Sequence, residues 1–306
     1  MDLTYRLVNV FAESRDTFSG NPVCVIEDGS ALDDGQMRSI AKQFNTDTVF
    51  LNSVSRHGAE ISCYAANGEQ RFAGSAALAT AHVVNDLNGN PRSALVLHIE
   101  TDAGRDTLVT PTGGDNWQIM ARPAEARTLN SSPQILASLV GLPLEALVND
   151  VMVVDSGRSG IILPVARPED VQRATLDARM LHSYAMLLNT EPQVQVWARE
   201  DERTIHSRMF YGPGGGVVEV AATGSGAGDL GHWLAFHDLP GTYEVVQGFG
   251  VGRPSVVELE VSADHTVRVG GHVNGVAQGV MTLSDSAGHL AEKLVDEEAQ
   301  RDADEE

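Results

Sequence analysis

The 306-residue sequence predicts an α/β protein of the α+β kind, built as two pseudo-symmetric halves. Three observations carry that expectation. The length suits two domains on the usual size prior. Short strand-like runs interleave with a few helix-like ones along the chain. A small-residue turn opening an apolar helix occurs once in each half, as AGSAALATAHVV at 73–84 and ATGSGAGDLGHWL at 222–234. Gly-Ser turns before Ala-rich helices are common, so coincidence is the alternative to internal duplication.

In the first half, strands are expected at 5–10 and 23–26, on either side of a Gly20-Asn21-Pro22 turn. A helix follows over 34–44, where Met37, Ile40, Ala41 and Phe44 recur at helical spacing. Strands are expected at 48–51 and 60–64, a helix over 72–84, and strands at 94–100, 107–110 and 117–121. The second half begins near Leu129, with a helix over 133–140 and strands at 151–154 and 161–165. One helix is expected over 171–188, then strands at 194–199 and 207–211. The GPGGG turn from Gly212 leads to a helix over 229–237 and strands at 243–247, 256–261 and 266–269. The expected domains are residues 1–125 and 126–290, with C-terminal strands able to cross over, followed by an acidic, frayed tail over 291–306.

Composition narrows the function. With 42% apolar and 21% charged residues the chain can bury ordinary cores. Its formal charge of −21 argues against a nucleic-acid partner, whose phosphates demand clustered Lys and Arg. Cys24 and Cys63 each lie in an apolar run, which suits neither a disulfide framework nor a thiolate metal site and points to a reducing, cytoplasmic setting. No run approaches the roughly 18 apolar residues of a membrane span. Neither a P-loop nor an HExxH pattern is present, so no nucleotide or metal is expected.

The chemistry is expected at the two glycine-opened helix starts. The first turn of a helix carries N–H groups with no intrahelical partner, and the helix dipole adds positive potential there. With only Gly, Ser and Ala in the way, such an end holds a carboxylate or phosphate. Two of them, at 74–76 and 223–226, facing each other across an interdomain cleft would hold a small acid. The plain alternative is that Ser75 and Thr223 only cap their helices.

Five ordered blocks then resemble one known family. They are VFAESRDTFSGNPVCVI, Met37 with IAKQFNTDTVFL, NGEQRFAGSAALATAHVV, MFYGPGGGVVEVAATGSGAGDLGHWL and QGFGVGRPS. Together they span about residues 10–279 and resemble PhzF-like proteins of the diaminopimelate epimerase superfamily. The resemblance implies two similar domains, each a curved, mostly antiparallel sheet wrapped around a central helix. It further implies a homodimer and a cofactor-independent isomerase that moves a proton in a small carboxylic acid. Asp47 stands where the family places its acid/base glutamate, between Thr46 and Thr48, one methylene shorter. Ser75 replaces the family histidine in Ala73-Gly74-Ser75-Ala76-Ala77, and Val220 replaces the family aspartate before Thr223-Gly224-Ser225.

The resemblance therefore implies Asp47 and Ser75 as catalytic residues, with Asn21, Thr46, Gly74, Ala76, Thr223, Gly224 and Ser225 as substrate-binding ones. Val220 cannot move a proton and a serine is a poor base at neutral pH, so the substrate should be an already conjugated, readily enolised acid. Relatives in antibiotic pathways that shift double bonds in alkylproline precursors suggest such a molecule. A catalytically silent relative that binds a small carboxylate is the alternative. A further one is lyase or hydrolase chemistry at Glu69, His82, Glu219, Asp229 or His232, with Asp229 expected in the first turn of its helix.

Overall fold

The computed structural model describes residues 1–284 except 15, 69–72, 101–104 and 149. The expected acidic tail at 291–306 lies outside the described residues. The chain divides into two compact units, each assembled from separated segments. The first comprises Met1–Asn9, Pro22–Pro111 and the described residues from Val273 onward; the second comprises Val10–Asn21 and Thr112–His272. This division passes from the first unit to the second at 111/112 and returns to the first at 272/273.

The first unit contains β1 (Asp2–Val10), β2 (Asn21–Ile26), α1 (Asp34–Phe44), β3 (Asp47–Ser55), β4 (Gly58–Tyr64), α2 (Gly74–Leu87), β5 (Leu95–Ile99) and β6 (Arg105–Gly113). Its strands lie in that numerical order across the sheet. Strands β2 and β3 are parallel, joined through α1, with Val23 beside Asp47. Strands β3 and β4 form an antiparallel pair with Thr48 opposite Tyr64, and β4 runs parallel to β5 through α2. Helix α1 forms because Asp33 and Gln36 make a reciprocal capping box and Met37, Ile40 and Ala41 face the core. It stops at Asn45, whose left-handed φ of 52° turns the chain straight into β3.

The second unit contains β7 (Asn116–Met120), β8 (Glu125–Thr128), α3 (Pro133–Val140), β9 (Met152–Asp155), β10 (Ser159–Pro164), α4 (Pro168–Arg173) and α5 (Ala178–Leu188). It continues with β11 (Gln193–Arg199), β12 (Thr204–Tyr211), β13 (Val218–Val220), α6 (Gly224–Phe236), β14 (Gly241–Gln247), β15 (Ser255–Val261) and β16 (Val267–Thr282), whose last ten residues belong to the first unit. The strand order is β7-β16-β15-β14-β12-β11-β10-β9-β8, with β13 beside β12. Strand β10 is parallel to β11 across α4 and α5, β11 antiparallel to β12, and β12 parallel to β14 across α6. That is the same sequence of pairings as β2-β3-β4-β5 with α1 and α2, so the two halves share a topology as well as a motif.

Helices α2 and α6 are the central ones. Leu78, Ala79, Thr80 and Ala81, a full turn of α2, are each 0% exposed, and Ala227, Leu230 and Leu234 of α6 match them. A helix buried all round must be built from small and apolar residues, which is why both read as Ala- and Gly-rich. At Gly231 a Cβ would meet Val267 Cγ1 at 2.5 Å and Leu259 Cδ1 at 2.9 Å, so only glycine lets α6 lie this close to the sheet.

Strands β8 and β13 have no counterpart in the sequence expectation, and three further elements depart from it. The helix over 171–188 is broken into α4 and α5, because Arg208 Nη1 donates to the carbonyls of Val171, Gln172 and Ala174 and the Thr175 N–H goes to Val140. Helix α6 starts five residues before the expected 229, at the cap Thr223. Strand β16 runs far beyond 269, through a glycine-rich stretch in which a Cβ at Gly270 would meet the Trp117 carbonyl at 2.6 Å.

Replacing Gly231 tests the close packing of α6. Gly231→Ala gains about 1 kcal/mol of helix propensity but forces an overpacking cost of about 1–3 kcal/mol. Net destabilisation in urea unfolding is expected, growing for Gly231→Val.

Candidate functional site

In the first unit the geometry gathers the predicted residues at one end of the sheet. Helix α2 connects two parallel strands, so it runs back against them and starts at the end where β4 finishes. Asp47 opens β3, next to Thr48 opposite Tyr64, and so occupies that same end. Asp47 and Thr46 are half-buried. Thr46 Oγ1 donates to the Pro22 carbonyl at 2.7 Å and Thr48 Oγ1 to the Thr46 carbonyl at 3.1 Å, which fixes the backbone on both sides of the acid. Gly74, Ser75 and Ala76 form the first turn of α2, following Ala73, which offers no side-chain acceptor to their N–H groups. Ser75 is buried, at 5% exposure, and Gly74 half-buried.

The second unit holds Asn21, at the start of β2, and Thr223, Gly224 and Ser225 at the start of α6. Thr223 is the cap: its Oγ1 accepts the Gly226 N–H at 3.3 Å and lies 3.0 Å from Ser225 Oγ. Its own N–H donates to Gln247 Oε1 at 3.1 Å, and its carbonyl takes the Ala227 N–H at 3.1 Å. Gly224 and Ser225 are then the donors at this end that neither cap nor helix uses, among the described residues. Ser225 is exposed. Each unit thus presents a helix start that leaves backbone N–H groups outside its cap, and in the first unit Asp47 lies at the same end of the sheet.

Of the side chains considered for other chemistry, Glu219, Asp229 and His232 are committed to structural bonds. Glu219 is 9% exposed and paired with Arg208 at 2.6 Å. Asp229 lies in the second turn of α6, not the first, because the helix begins at Gly224. It is 2% exposed and accepts from Ser156 Oγ at 2.6 Å. Burial pushes its carboxyl up to about 7, against the Ser156 hydrogen bond, with Asp155 adding to the rise. A ring nitrogen of His232 lies 2.7 Å from the Arg122 carbonyl, and burial lowers its pKa from the usual histidine value. His82 sits half-buried in α2, and Glu69 lies outside the described residues. Cys24 and Cys63 are buried, with the Cys24 thiol driven up to about 12 by burial. No group of three or more His, Cys, Asp or Glu that could hold a metal occurs among the described residues, and no helix among them is long and apolar enough to cross a membrane.

Three functional-site neighbours carry no sequence motif: Gln195, Ser207 and Gln247. All three are buried, at 0%, 2% and 1% exposure, and they lie under the first turn of α6. Their only sequence signal is polarity inside apolar strands.

The family model for phenazine biosynthesis-like protein matches residues 8–280. The chain belongs to that family. Within it, the trans-2,3-dihydro-3-hydroxyanthranilate isomerase of Pseudomonas chlororaphis is 29% identical over 288 residues, 91% of this chain and 98% of the relative. An uncharacterized isomerase of Pasteurella multocida is 26% identical, with 93% and 96% covered. Among solved structures, the Bacillus anthracis phenazine biosynthesis protein of the PhzF family superposes with a TM-score of 0.78 at 18% identity, covering 92% of this chain and all of that one. A hydroxyproline epimerase from Agrobacterium vitis superposes at 0.59 with 10% identity, over 94% of each chain, which shows a shared fold. The two-domain epimerase-like architecture implied by the sequence motifs is therefore the architecture of this family member.

The raised carboxyl of Asp229 has a stability signature. Its folded pKa of about 7 exceeds the unfolded value, so the folded state binds the extra proton between the two. Stability from this group is complete below about pH 4 and is lost as pH rises through 7. In Asp229→Asn the decline in melting temperature over that window should flatten, and an unaltered slope would show another group to be responsible. Thr223→Ala should cost about 1 kcal/mol, the usual worth of an N-cap, in the same unfolding measurement.

Proposed function

We propose that this chain is a cofactor-independent isomerase that moves a proton within a small conjugated carboxylic or imino acid, with Asp47 as the acid/base. The observation that carries this reading is the position of Asp47: at the start of β3, on the sheet end where α2 begins with an uncapped Gly-Ser-Ala turn. Membership of a family whose curated relatives are named isomerases supports it.

The step balances without an oxidant or reductant. The Asp47 carboxylate removes a proton from a carbon adjacent to a C=C or C=N bond, and the electron pair left behind delocalises through the conjugated system. The same carboxyl returns the proton at the far end, which shifts the double bond. Negative charge develops on the substrate during transfer, and preorganised N–H donors at a helix start stabilise it. With Ser75 and Val220 in place of the family's histidine and aspartate, the chain supplies little further proton chemistry, so the substrate's own acidity sets much of the barrier. A dihydroaromatic acid such as trans-2,3-dihydro-3-hydroxyanthranilate, on which relatives are named to act, and an alkylproline precursor both meet that requirement. A role in specialised metabolism and a homodimeric state belong to the same proposal.

A second reading has its own observation. Glu219, Asp229 and His232 are each tied into structural bonds, which leaves few proton carriers and suits a silent carboxylate-binding protein.

Turnover in deuterium oxide separates the two. Proton NMR of trans-2,3-dihydro-3-hydroxyanthranilate and of a dehydro-alkylproline should show deuterium entering one defined carbon, with the rate falling about 10²–10⁴-fold in Asp47→Asn. Deuterium entry at the parental rate in that variant would remove Asp47 from the mechanism, and binding with no exchange in the parent would leave the silent reading. The anion-holding role of α6 is tested by Gly224→Pro, since proline is tolerated at the first helical position and deletes one N–H. Affinity for the non-isomerisable analogue 3-hydroxyanthranilate, measured by calorimetry, should fall about tenfold, equivalent to one charge-assisted hydrogen bond.

A further inference from the structure

Beneath the start of α6, three adjacent strands contribute a row of polar side chains to an otherwise apolar interior. Gln195 lies on β11, Ser207 on β12 and Gln247 on β14. Strand β12 runs parallel to β14 as far as His206 beside Val246, and further along it pairs with β13 at Met209–Tyr211. The sheet forks between those pairings, and Ser207 and Gln247 stand at the fork. Gln195 Nε2 donates to Ser207 Oγ at 2.8 Å, and Gln195 Oε1 lies under Gly226, where a Cβ would meet it at 3.3 Å. Gln247 Oε1 takes the Thr223 N–H.

Both amides are left with half of their bonding capacity enclosed. Gln195 Oε1 and Gln247 Nε2 are buried and have no hydrogen-bond partner among the described residues. Chemistry fixes the orientation of Gln247, because an N–H donor must face its oxygen. For Gln195 either amide orientation gives Ser207 one atom and strands the other. Interiors seldom tolerate such orphans, and the common remedy is an enclosed water with about three partners. A water placed between them would accept from Gln247 Nε2 and from the Ser207 hydroxyl, and donate to Gln195 Oε1.

We propose that Gln195, Ser207 and Gln247 hold a single buried water under the first turn of α6, and that Gln247 thereby positions this helix start to grip a substrate carboxylate. The inference rests on the anion-holding role given to α6 above. Because Gln247 occupies the Thr223 N–H and Thr223 occupies the Gly226 N–H, the Gly224 and Ser225 donors are the ones directed to a ligand. Gln247 is a positioning residue that touches the helix start, not the substrate.

Two variants of similar size test it. Gln247→Met removes both amide bonds, whereas Gln247→Glu keeps the acceptor for Thr223, loses the donor to the water and sets a negative charge under the helix start. Calorimetry with 3-hydroxyanthranilate should show Gln247→Met binding about tenfold more weakly than the parent, because the helix start loses its anchor, and Gln247→Glu more weakly still, because a charge then lies under that start. A crystal structure of the parent should show an ordered water bonded to Gln247 Nε2 and Gln195 Oε1. Parental affinity in Gln247→Met, equal affinities in the two variants, or a structure in which the amides are satisfied by protein groups alone, overturn the inference. If Gly224→Pro binds as well as the parent, or the parent does not bind, the anion-holding role itself fails. If Gly224→Pro weakens binding and Gln247→Met matches the parent or Gln247→Glu, only the role of Gln247 is lost.

Discussion

The constraint on which the structure depends is the enclosure of a helix by its own sheet. Helices α2 and α6 are shielded round full turns, so their sides must be small and apolar and their polar needs must be met at the ends. A helix start leaves several N–H groups without intrahelical partners. In α6 the cap Thr223 and the buried Gln247 absorb two of these positions, while α2 begins at an alanine that absorbs none through its side chain. What is left over is fixed, dipole-oriented donor capacity at the sheet end, the kind of feature on which the proposed binding of an organic anion rests.

Proton chemistry is distributed very differently from anion-holding capacity. Both units retain the helix start, but the ionisable groups nearby have been drawn into the scaffold: Glu219 by Arg208, Asp229 by Ser156, His232 by a backbone carbonyl. Arg208 illustrates the economy of this arrangement, since one guanidinium neutralises Glu219 and also caps the end of α4. The backbone at Asp47 is placed by α1 ending in a left-handed Asn45 and by Thr46 bonded back to Pro22.

Much of the fold was legible where local chemistry agrees with global packing. Helices α1 and α3 stand at the expected bounds because each has its own punctuation: a capping box at Asp33, proline at the first turn of α3, and left-handed Asn45 and Gly141 at the ends. The break at 174–177 was hidden by continuous helical spacing, although Asp177, the cap of α5, was its one local signal. Strand β16 was cut short because glycines read as turn formers, while here they admit neighbouring backbone. Candidate site residues are legible through motifs alone, which point to Asp47 and both helix starts. They could not reach Gln195 in QVQVW, where alternation suggests that the glutamines face water. In the structure both faces of β11 are covered and every residue from 193 to 198 is buried, so a polar residue on the alternate face is an interior one.

The interrupted composition of the first unit bears on how the chain is made. Its strand β1 pairs with β16, which is encoded more than 250 residues later. During synthesis the amino-terminal strand leaves the ribosome with one flank unpaired and waits for nearly the entire polypeptide before its partner emerges. An open strand edge invites pairing with other nascent chains. Crowded translation and truncated products should therefore be the conditions under which this molecule aggregates.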